Sequence, residues 1–274
     1  MPRPGLPKLI ATDLDGTLVR SDDTVSPYTH EVLDRVRAAG IPIVGATGRG
    51  PRLTELTRND IRAADYLVLA GGGRVTDLTD LDAGPVTLRD ERLDGHVLAH
   101  LINELESAVG PLTVLVEALD EQNAPLWGDP DPAWRYPDDL QVRPRAESMS
   151  GRVIKGFART ADHDVDSLLA AARRIVPATL ATVTQAGLGF IEILPPGVDK
   201  ASGLAVVAAS LGVDPAEVLV FGDMPNDVPM FHWAGWARVA VANAHPSVLD
   251  LADEITLSND EDGVAVWLDR LLSR

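Results

Sequence analysis

Asp13 and Asp15 stand two residues apart, directly after the apolar run Leu9-Ile10-Ala11, and Gly16 and Thr17 follow at once. An apolar run of that length, cut off by glycine, is expected to be a buried strand ending at Asp13. In open α/β sheets, ligand sites lie just past the carboxyl ends of the strands, so both carboxylates would stand at that edge. Two carboxylates so close repel each other unless a cation neutralises them or one takes up a proton. A hard, oxygen-seeking cation such as Mg²⁺ suits them. A carboxylate so placed can attack phosphorus, and a second can pass a proton to the leaving alkoxide. The plain alternative is a tight turn, which Asp and Gly both favour.

The flanking pattern supplies elements to hold such a site. Ser26-Pro27 reads as an N-cap followed by proline at the first helical position, Val32, Leu33 and Val36 give the helix an apolar face, and Gly40 ends it. Ile41–Ala46 reads as a strand, Pro51–Asn59 as a helix and Tyr66–Ala70 as a strand. That alternation implies a parallel sheet with helices on both faces. The pattern then changes: residues 74–92 are polar, Gly95–Val109 carries apolar residues at helical spacing, and Thr113–Ala118 reads as a strand. Leu119–Ser150, rich in Pro, Asp and Trp, reads as a long loop, which in a compact domain is functional or partly mobile. Val153–Ala158 is expected to be a strand and Val165–Ile175 a helix. Thr179–Thr184 and Leu188–Leu194 would be strands of a hairpin around Ala186-Gly187. Pro195-Pro196-Gly197 reads as a hinge. Beyond it come a helix over Lys200–Leu211, a strand over Val218–Phe221, a short helix over Asn226–Trp233, a strand over Arg238–Val241 and helices over Pro246–Ala252 and Val264–Leu272.

The chain has 274 residues, 45% hydrophobic and 24% charged, an ordinary globular composition. The absence of Cys rules out a disulfide framework, a thiol nucleophile and a Cys-ligated metal. A formal net charge of −17 makes nucleic acid and anionic membranes poor partners. It would also repel a phosphate ester unless cations stand at the site, so Arg49 and Lys200 gain weight. The first seven residues do not read as a signal peptide, and the longest apolar stretch, Gly203–Val213, is too short to span a membrane. A soluble cytoplasmic protein is expected, and nothing in the sequence sets its oligomeric state.

The stretch Asp13-Leu14-Asp15-Gly16-Thr17 resembles the D-x-D-G-T signature of the haloacid dehalogenase-like hydrolases, and three further stretches follow in the family's order. Gly45-Ala46-Thr47-Gly48-Arg49 resembles the second motif, Gly197-Val198-Asp199-Lys200 the third, and Gly222-Asp223-Met224-Pro225-Asn226-Asp227-Val228-Pro229-Met230 the fourth. Together with Ala242-Asn243-Ala244 and Ser258–Val264, these are similar to the Cof-type sugar-phosphate phosphatases. The chain departs from that subfamily after the third strand, where Gly71-Gly72-Gly73 replaces the usual Asn-Gly-Ala. The resemblance implies an α/β fold, a Rossmann-like parallel-sheet core in three layers, with an inserted α/β cap whose sheet is mainly antiparallel. The core would take residues 1–80 and 194–274, and the cap residues 81–193.

It also implies roles. Asp13 would be the nucleophile and Asp15 the general acid, then the base that activates water. Mg²⁺ would be held by Asp13, the backbone carbonyl of Asp15, Asp223 and Asp227, although Asp227 at a helix start is also what the macrodipole favours. Thr47, Gly48, Lys200 and Asn226 would bind the phosphate of a small phosphorylated metabolite. Arg49 would touch substrate or form a salt bridge. Trp127, Trp134 and Tyr136 would line the substrate pocket or simply pack the long loop, and Arg143, Arg145 and Arg152 are further candidates for an anion. The expected activity is Mg²⁺-dependent hydrolysis of a small phosphate monoester, with a sugar phosphate foremost, through an aspartyl-phosphate. A phosphomutase of the same superfamily and a non-catalytic phosphate-ligand binding protein remain as alternatives.

Overall fold

The computed structural model describes residues 5–80, 82, 84–132, 134, 136–187 and 189–273. Two large sheets organise them, with a short antiparallel ladder of Leu93–Asp94 and Arg152–Val153 besides. The larger has eight strands in the order Glu254–Ile255, Ala237–Ala240, Val218–Gly222, Leu9–Thr12, Ile43–Ala46, Tyr66–Leu69, Arg74–Asp77 and Val86–Asp90. Neighbours run parallel from Glu254–Ile255 through Tyr66–Leu69, and the last two strands join antiparallel. The parallel strands read as unbroken apolar runs because both faces are covered. Leu9, Ile10, Ile43, Val44, Leu67, Val68, Leu219 and Val220 are all fully buried. Each such side chain contributes roughly 1.5–3 kcal/mol relative to exposure.

Helices Pro27–Ala38 and Gly263–Leu272 pack together, as do Lys200–Leu211 and Val228–Trp233. Ser26 caps the first of these, its hydroxyl accepting from Thr29 N at 3.0 Å, with Val32, Leu33 and Val36 buried as the spacing requires. The chain leaves Leu9–Thr12 toward Ile43–Ala46 on one side and meets Val218–Gly222 on the other. This is the kind of topological switch point where open α/β sheets bind ligands.

The smaller sheet has six strands in the order Thr182–Gln185, Ile191–Leu194, Lys155–Arg159, Thr113–Glu117, Leu126–Gly128 and Leu140–Val142. Only the last pair is parallel. One face of this sheet, with Val114, Val116, Ala158, Ile191 and Ile193, buries itself with Leu98, Leu101, Leu168 and Leu169 of helices Gly95–Val109 and Val165–Ile175. Asp94 and Asp164 cap these helices, each accepting a backbone hydrogen bond at 2.8 Å. The other face carries Leu115 and Phe157, clustered with Leu126, Trp134 and Phe190.

Several boundaries differ from the sequence reading. The core sheet continues past residue 80, because Arg74–Asp77 and Val86–Asp90 form a hairpin on its edge. Residues 119–150 are not one loop: they hold strands Leu126–Gly128 and Leu140–Val142 and a helix at Arg145–Ser148. The strand expected from Leu188 begins at Ile191, and Leu188 itself lies outside the described residues. No helix among the described residues is long and apolar enough to cross a membrane.

Candidate active site

Strand register brings the first and fourth motifs together. Thr12 pairs with Phe221, so the chain segments carrying Asp13 and Asp223 emerge side by side from adjacent parallel strands. Asp13, Asp223 and Asp227 are all buried, and one carboxylate oxygen from each lies within 4.8 Å of the others. Lys200 opens its helix under an Asp199 N-cap that accepts from Ser202 N at 2.7 Å. The N-terminal macrodipole disfavours a cation there. Carboxylates offset it: the fully buried ammonium donates to Asp13 Oδ1 and, at 2.6 Å, to Asp227 Oδ1.

These charges are mutually dependent. Burial pushes the Asp13 carboxyl up to about 7, against the pull of Lys200 and with the added repulsion of Asp227. Burial also raises Asp223, with Asp13 and Asp227 adding to the effect. Burial opposes the charge of Lys200, yet Asp13 and Asp227 outweigh it and hold its pKa above the usual lysine range. A three-carboxylate, all-oxygen cluster with one ammonium is short of positive charge, and hard cations favour such donors. Asp13 and Asp223 therefore fit a Mg²⁺ site. Asp227 is more fully engaged, since Oδ1 accepts from Lys200 and Oδ2 from Asp223 N and Met224 N, each at 2.9 Å.

The remaining motif residues surround this cluster. Thr17 donates its hydroxyl to Asp223 Oδ1 at 2.8 Å. Asp15 binds its half-exposed carboxylate to Arg49, with contacts of 2.5 and 2.8 Å. Arg49 also holds Asp60 at 2.5 Å, so it forms salt bridges while lining the cavity described below. Burial opposes its charge, but Asp15 and Asp60 raise its pKa further. Thr47 is fully buried, and its hydroxyl accepts from Arg49 N at 3.1 Å. Asn226 is buried with Oδ1 lacking a hydrogen-bond partner.

Asn243 donates to Gly16 O at 2.8 Å and accepts from Asn259 N at 3.0 Å, while Asn259 donates to Val19 O at 3.0 Å. The two late asparagine stretches thus hold the first motif's loop in place. Of the three glycines after the third strand, the middle one, which the usual Asn-Gly-Ala shares, has a packing reason. At Gly72, φ is +114°, and any Cβ would overlap the backbone of Asp199, the residue before Lys200.

A cavity of about 290 Å³ opens between the two sheets, with Asp13, Asp15 and Gly48 on the core side. Trp134, Tyr136 and Phe157 line it from the smaller sheet. The other expected contacts do not reach it. Trp127 lies under the Arg143 guanidinium, 4.0 Å from its ring centre. Arg145 is tied to Asp129 at 2.7 Å and Glu106 at 3.0 Å, and Arg152 donates to Arg92 O at 2.7 Å.

Seven charged residues that line the cavity escaped sequence reasoning: Asp23, Asp60, Asp139, Arg52, Glu117, Lys155 and Glu192. Each of the last three interrupts a β-rich apolar run, a signal that one strand face meets something polar. Their register confirms a shared face: Lys155 pairs with Glu117, and Glu192 with Phe157. Burial raises the pKa of Glu117, against the pull of Lys155 and Arg52.

The family model of the haloacid dehalogenase-like hydrolases matches residues 10–268. The chain is 29% identical to 5-amino-6-(5-phospho-D-ribitylamino)uracil phosphatase YwtE of Bacillus subtilis, over 97% of this chain and 98% of that protein. A haloacid dehalogenase-like hydrolase from Bacteroides thetaiotaomicron superposes with a TM-score of 0.73 at 28% identity, covering 97% of this chain and 99% of the other. SMU.1108c from Streptococcus mutans superposes with a TM-score of 0.82, covering 98% of this chain and 100% of the other, and at 19% identity it speaks to the fold alone.

Proposed function

Since the chain belongs to the haloacid dehalogenase-like hydrolases and is a phosphoric monoester hydrolase of their Cof-type branch, we propose that it is Mg²⁺-dependent and cleaves the ester of a small phosphorylated metabolite through an aspartyl-phosphate on Asp13. The observation that carries this reading is the buried cluster of Asp13, Asp223 and Asp227, with Lys200 bound to the first and last, whose Asp13 lines a cavity of about 290 Å³.

Asp13, Asp223 and the Asp15 carbonyl would hold the metal, which when bound neutralises the carboxylates and polarises a phosphoryl oxygen, while Asp227, engaged through both oxygens, would hold Lys200 and the Asp223 turn beside it. The chain's own groups do the rest. Lys200 holds the Asp13 carboxylate in place and offers charge to the phosphate. Thr47, the Gly48 N–H and the side-chain amide N–H of Asn226 take the other phosphate oxygens. An oxygen of Asp13 attacks phosphorus as the ester P–O bond breaks, and Asp15 passes its proton to the departing alkoxide. Asp15 must exchange Arg49 for that oxygen as it does so. The same carboxylate then takes a proton from the water that attacks the aspartyl-phosphate, releasing inorganic phosphate and restoring Asp13.

A sugar phosphate or a similar metabolite is the proposed substrate class. The phosphoribitylamino-uracil ester in the name of the Bacillus subtilis relative belongs in the first set to be tried. The test is phosphate release from a panel of sugar, polyol and nucleotide esters with Mg²⁺, wild type against Asp13→Asn. The variant keeps the shape and loses the attacking charge, so release should fall by at least about a thousandfold while the melting temperature is retained. Turnover by Asp13→Asn at the wild-type rate would remove Asp13 as nucleophile.

A further inference from the structure

We propose that Glu117 and Glu192, on either side of Lys155 on the cavity face of the smaller sheet, select the leaving alcohol by accepting hydrogen bonds from hydroxyl or amino groups it carries near the phosphate. The proposal rests on the phosphatase reading above and adds to it the feature of the ester that is read, and the residues that read it.

All three side chains are buried, each with 2% of its surface exposed, and all line the cavity above Asp13. They lie against the loop assigned to the phosphate. Lys155 Nζ donates to Gly48 O at 2.5 Å, and Glu192 Oε1 would lie 3.5 Å from a Cβ placed on Gly48. A Cβ on Gly50 would overlap the Glu117 carboxylate, so that glycine is what lets Glu117 reach the core.

The cations here are already engaged. Lys155 is held by Gly48 O and Glu192, with its ammonium 4.5 Å from the centre of the Phe157 ring. Arg52 donates to Ala124 O at 3.1 Å and reaches Asp139 at 3.4 Å. What remains open is acceptor capacity: Glu117 Oε1, Glu192 Oε2 and Asn226 Oδ1 are buried without a hydrogen-bond partner. Buried acceptors left unmade are unfavourable, and native proteins seldom keep three together. A leaving group bearing donors completes them, whereas an alkyl chain leaves them bare. Phe157 and Trp134, with ring centres 6.5 Å apart, give the C–H side of such a molecule an apolar surface to lie on.

The experiment compares ribitol 5-phosphate with pentyl phosphate, using the full chain with Mg²⁺. The two esters share their carbon count and differ in hydroxyl groups. Wild type should favour the ribitol ester in kcat/KM by at least about tenfold, as sites built to bind hydroxyl groups do. In Glu117→Gln and Glu192→Gln, with folding checked by melting temperature, that ratio should fall by roughly tenfold, a charge-assisted hydrogen bond's worth. The loss should appear in KM for the ribitol ester rather than in kcat. A wild-type ratio near one, with both esters cleaved, overturns the selector and leaves the phosphatase reading standing. So does an unchanged ratio in folded variants. Release of phosphate from neither these esters nor the wider panel overturns the phosphatase reading, and the selector with it. If a variant does not fold, the wild-type ratio alone decides.

Discussion

Lys200 Nζ stands 2.6 Å from Asp227 Oδ1, both side chains fully buried, while Asp227 Oδ2 receives the backbone N–H groups of Asp223 and Met224. One carboxylate therefore fixes the lysine and also ties down the turn that carries Asp223. A buried pair of this kind is hard to break from one side only, because the remaining charge has no solvent to turn to.

Lys200→Met should accordingly destabilise the metal-free protein by about 3–5 kcal/mol, the usual penalty for removing one partner of a buried pair. It should also remove charge from the phosphate site, lowering phosphate release by about a hundredfold or more. Mg²⁺ should raise the melting temperature of the variant by more than it raises that of wild type, because Asp13 and Asp227 then lack another counter-charge. An unchanged melting temperature in chelator would show that the lysine is not what holds these carboxylates.

Metal removal gives a second test. Excess chelator should abolish phosphate release, and Mg²⁺ should restore it. Ca²⁺ should restore it poorly, since its larger and looser shell misplaces the phosphate. Binding should also be visible without substrate. A ligand of the folded state at a hundred times its Kd stabilises by about 2.7 kcal/mol, so Mg²⁺ titration should move the melting temperature upward. Full activity in chelator, or a melting temperature indifferent to Mg²⁺, would take the metal out of the account.

Glu117 makes a prediction about pH. Burial raises its carboxyl above the ordinary 4.5, so its proton is lost less readily in the folded chain than in the unfolded one. A raised folded-state pKa contributes stability that is fully present below the unfolded value and is lost as pH rises through the folded one. Gln at this position is neutral throughout. The melting temperature of Glu117→Gln relative to wild type should therefore climb as pH increases from 4.5, then level off above the folded-state pKa. A difference that is flat across this range, or that falls, would mean that Lys155 and Arg52 outweigh burial at Glu117.

The gathering of the buried carboxylates was legible in the sequence because two of them follow directly on apolar runs: Asp13 after Leu9–Thr12, and Asp223 after Val218–Gly222. The strand end and the chemistry are marked by the same few letters. The selector was not legible, because Glu117, Lys155 and Glu192 are far apart in sequence and meet only through antiparallel register. The strands at Leu126–Gly128 and Leu140–Val142 were missed for a related reason. Three residues are too few to show alternation, and their pairing comes from tertiary context. The hairpin strand Val86–Asp90 hid behind its exposed, polar edge position. Of glycines 71–73, Gly72 is needed for close packing against Asp199, a constraint that arises only when the third strand's end meets the start of the Lys200 helix.

Exchange of the inserted unit tests the division of labour between the two sheets. The large hydrophobic cluster of the insert draws only on residues from Leu93 to Ile193, and the core cluster draws on none of them. The chain crosses between the sheets near Glu91–Arg92 and again near Pro195–Val198. At the first crossing, Arg74 and Arg92 share Asp120 at 2.8 and 2.6 Å, which gives the junction a polar clasp rather than a packed core. Contacts of that kind can rearrange, and closure of the insert over the cavity would exclude water from the phosphoryl group. The groups proposed to react lie on the core side, while Glu117, Lys155, Glu192 and the aromatic wall lie on the insert. Replacing residues 92–194 with the insert of a related phosphatase should therefore change which esters are cleaved. Dependence on Asp13 and on Mg²⁺ should persist in the chimera. A folded chimera that kept the original ester profile would show that selection resides in the core, and one that cleaved esters after Asp13→Asn would show that the insert brings its own nucleophile.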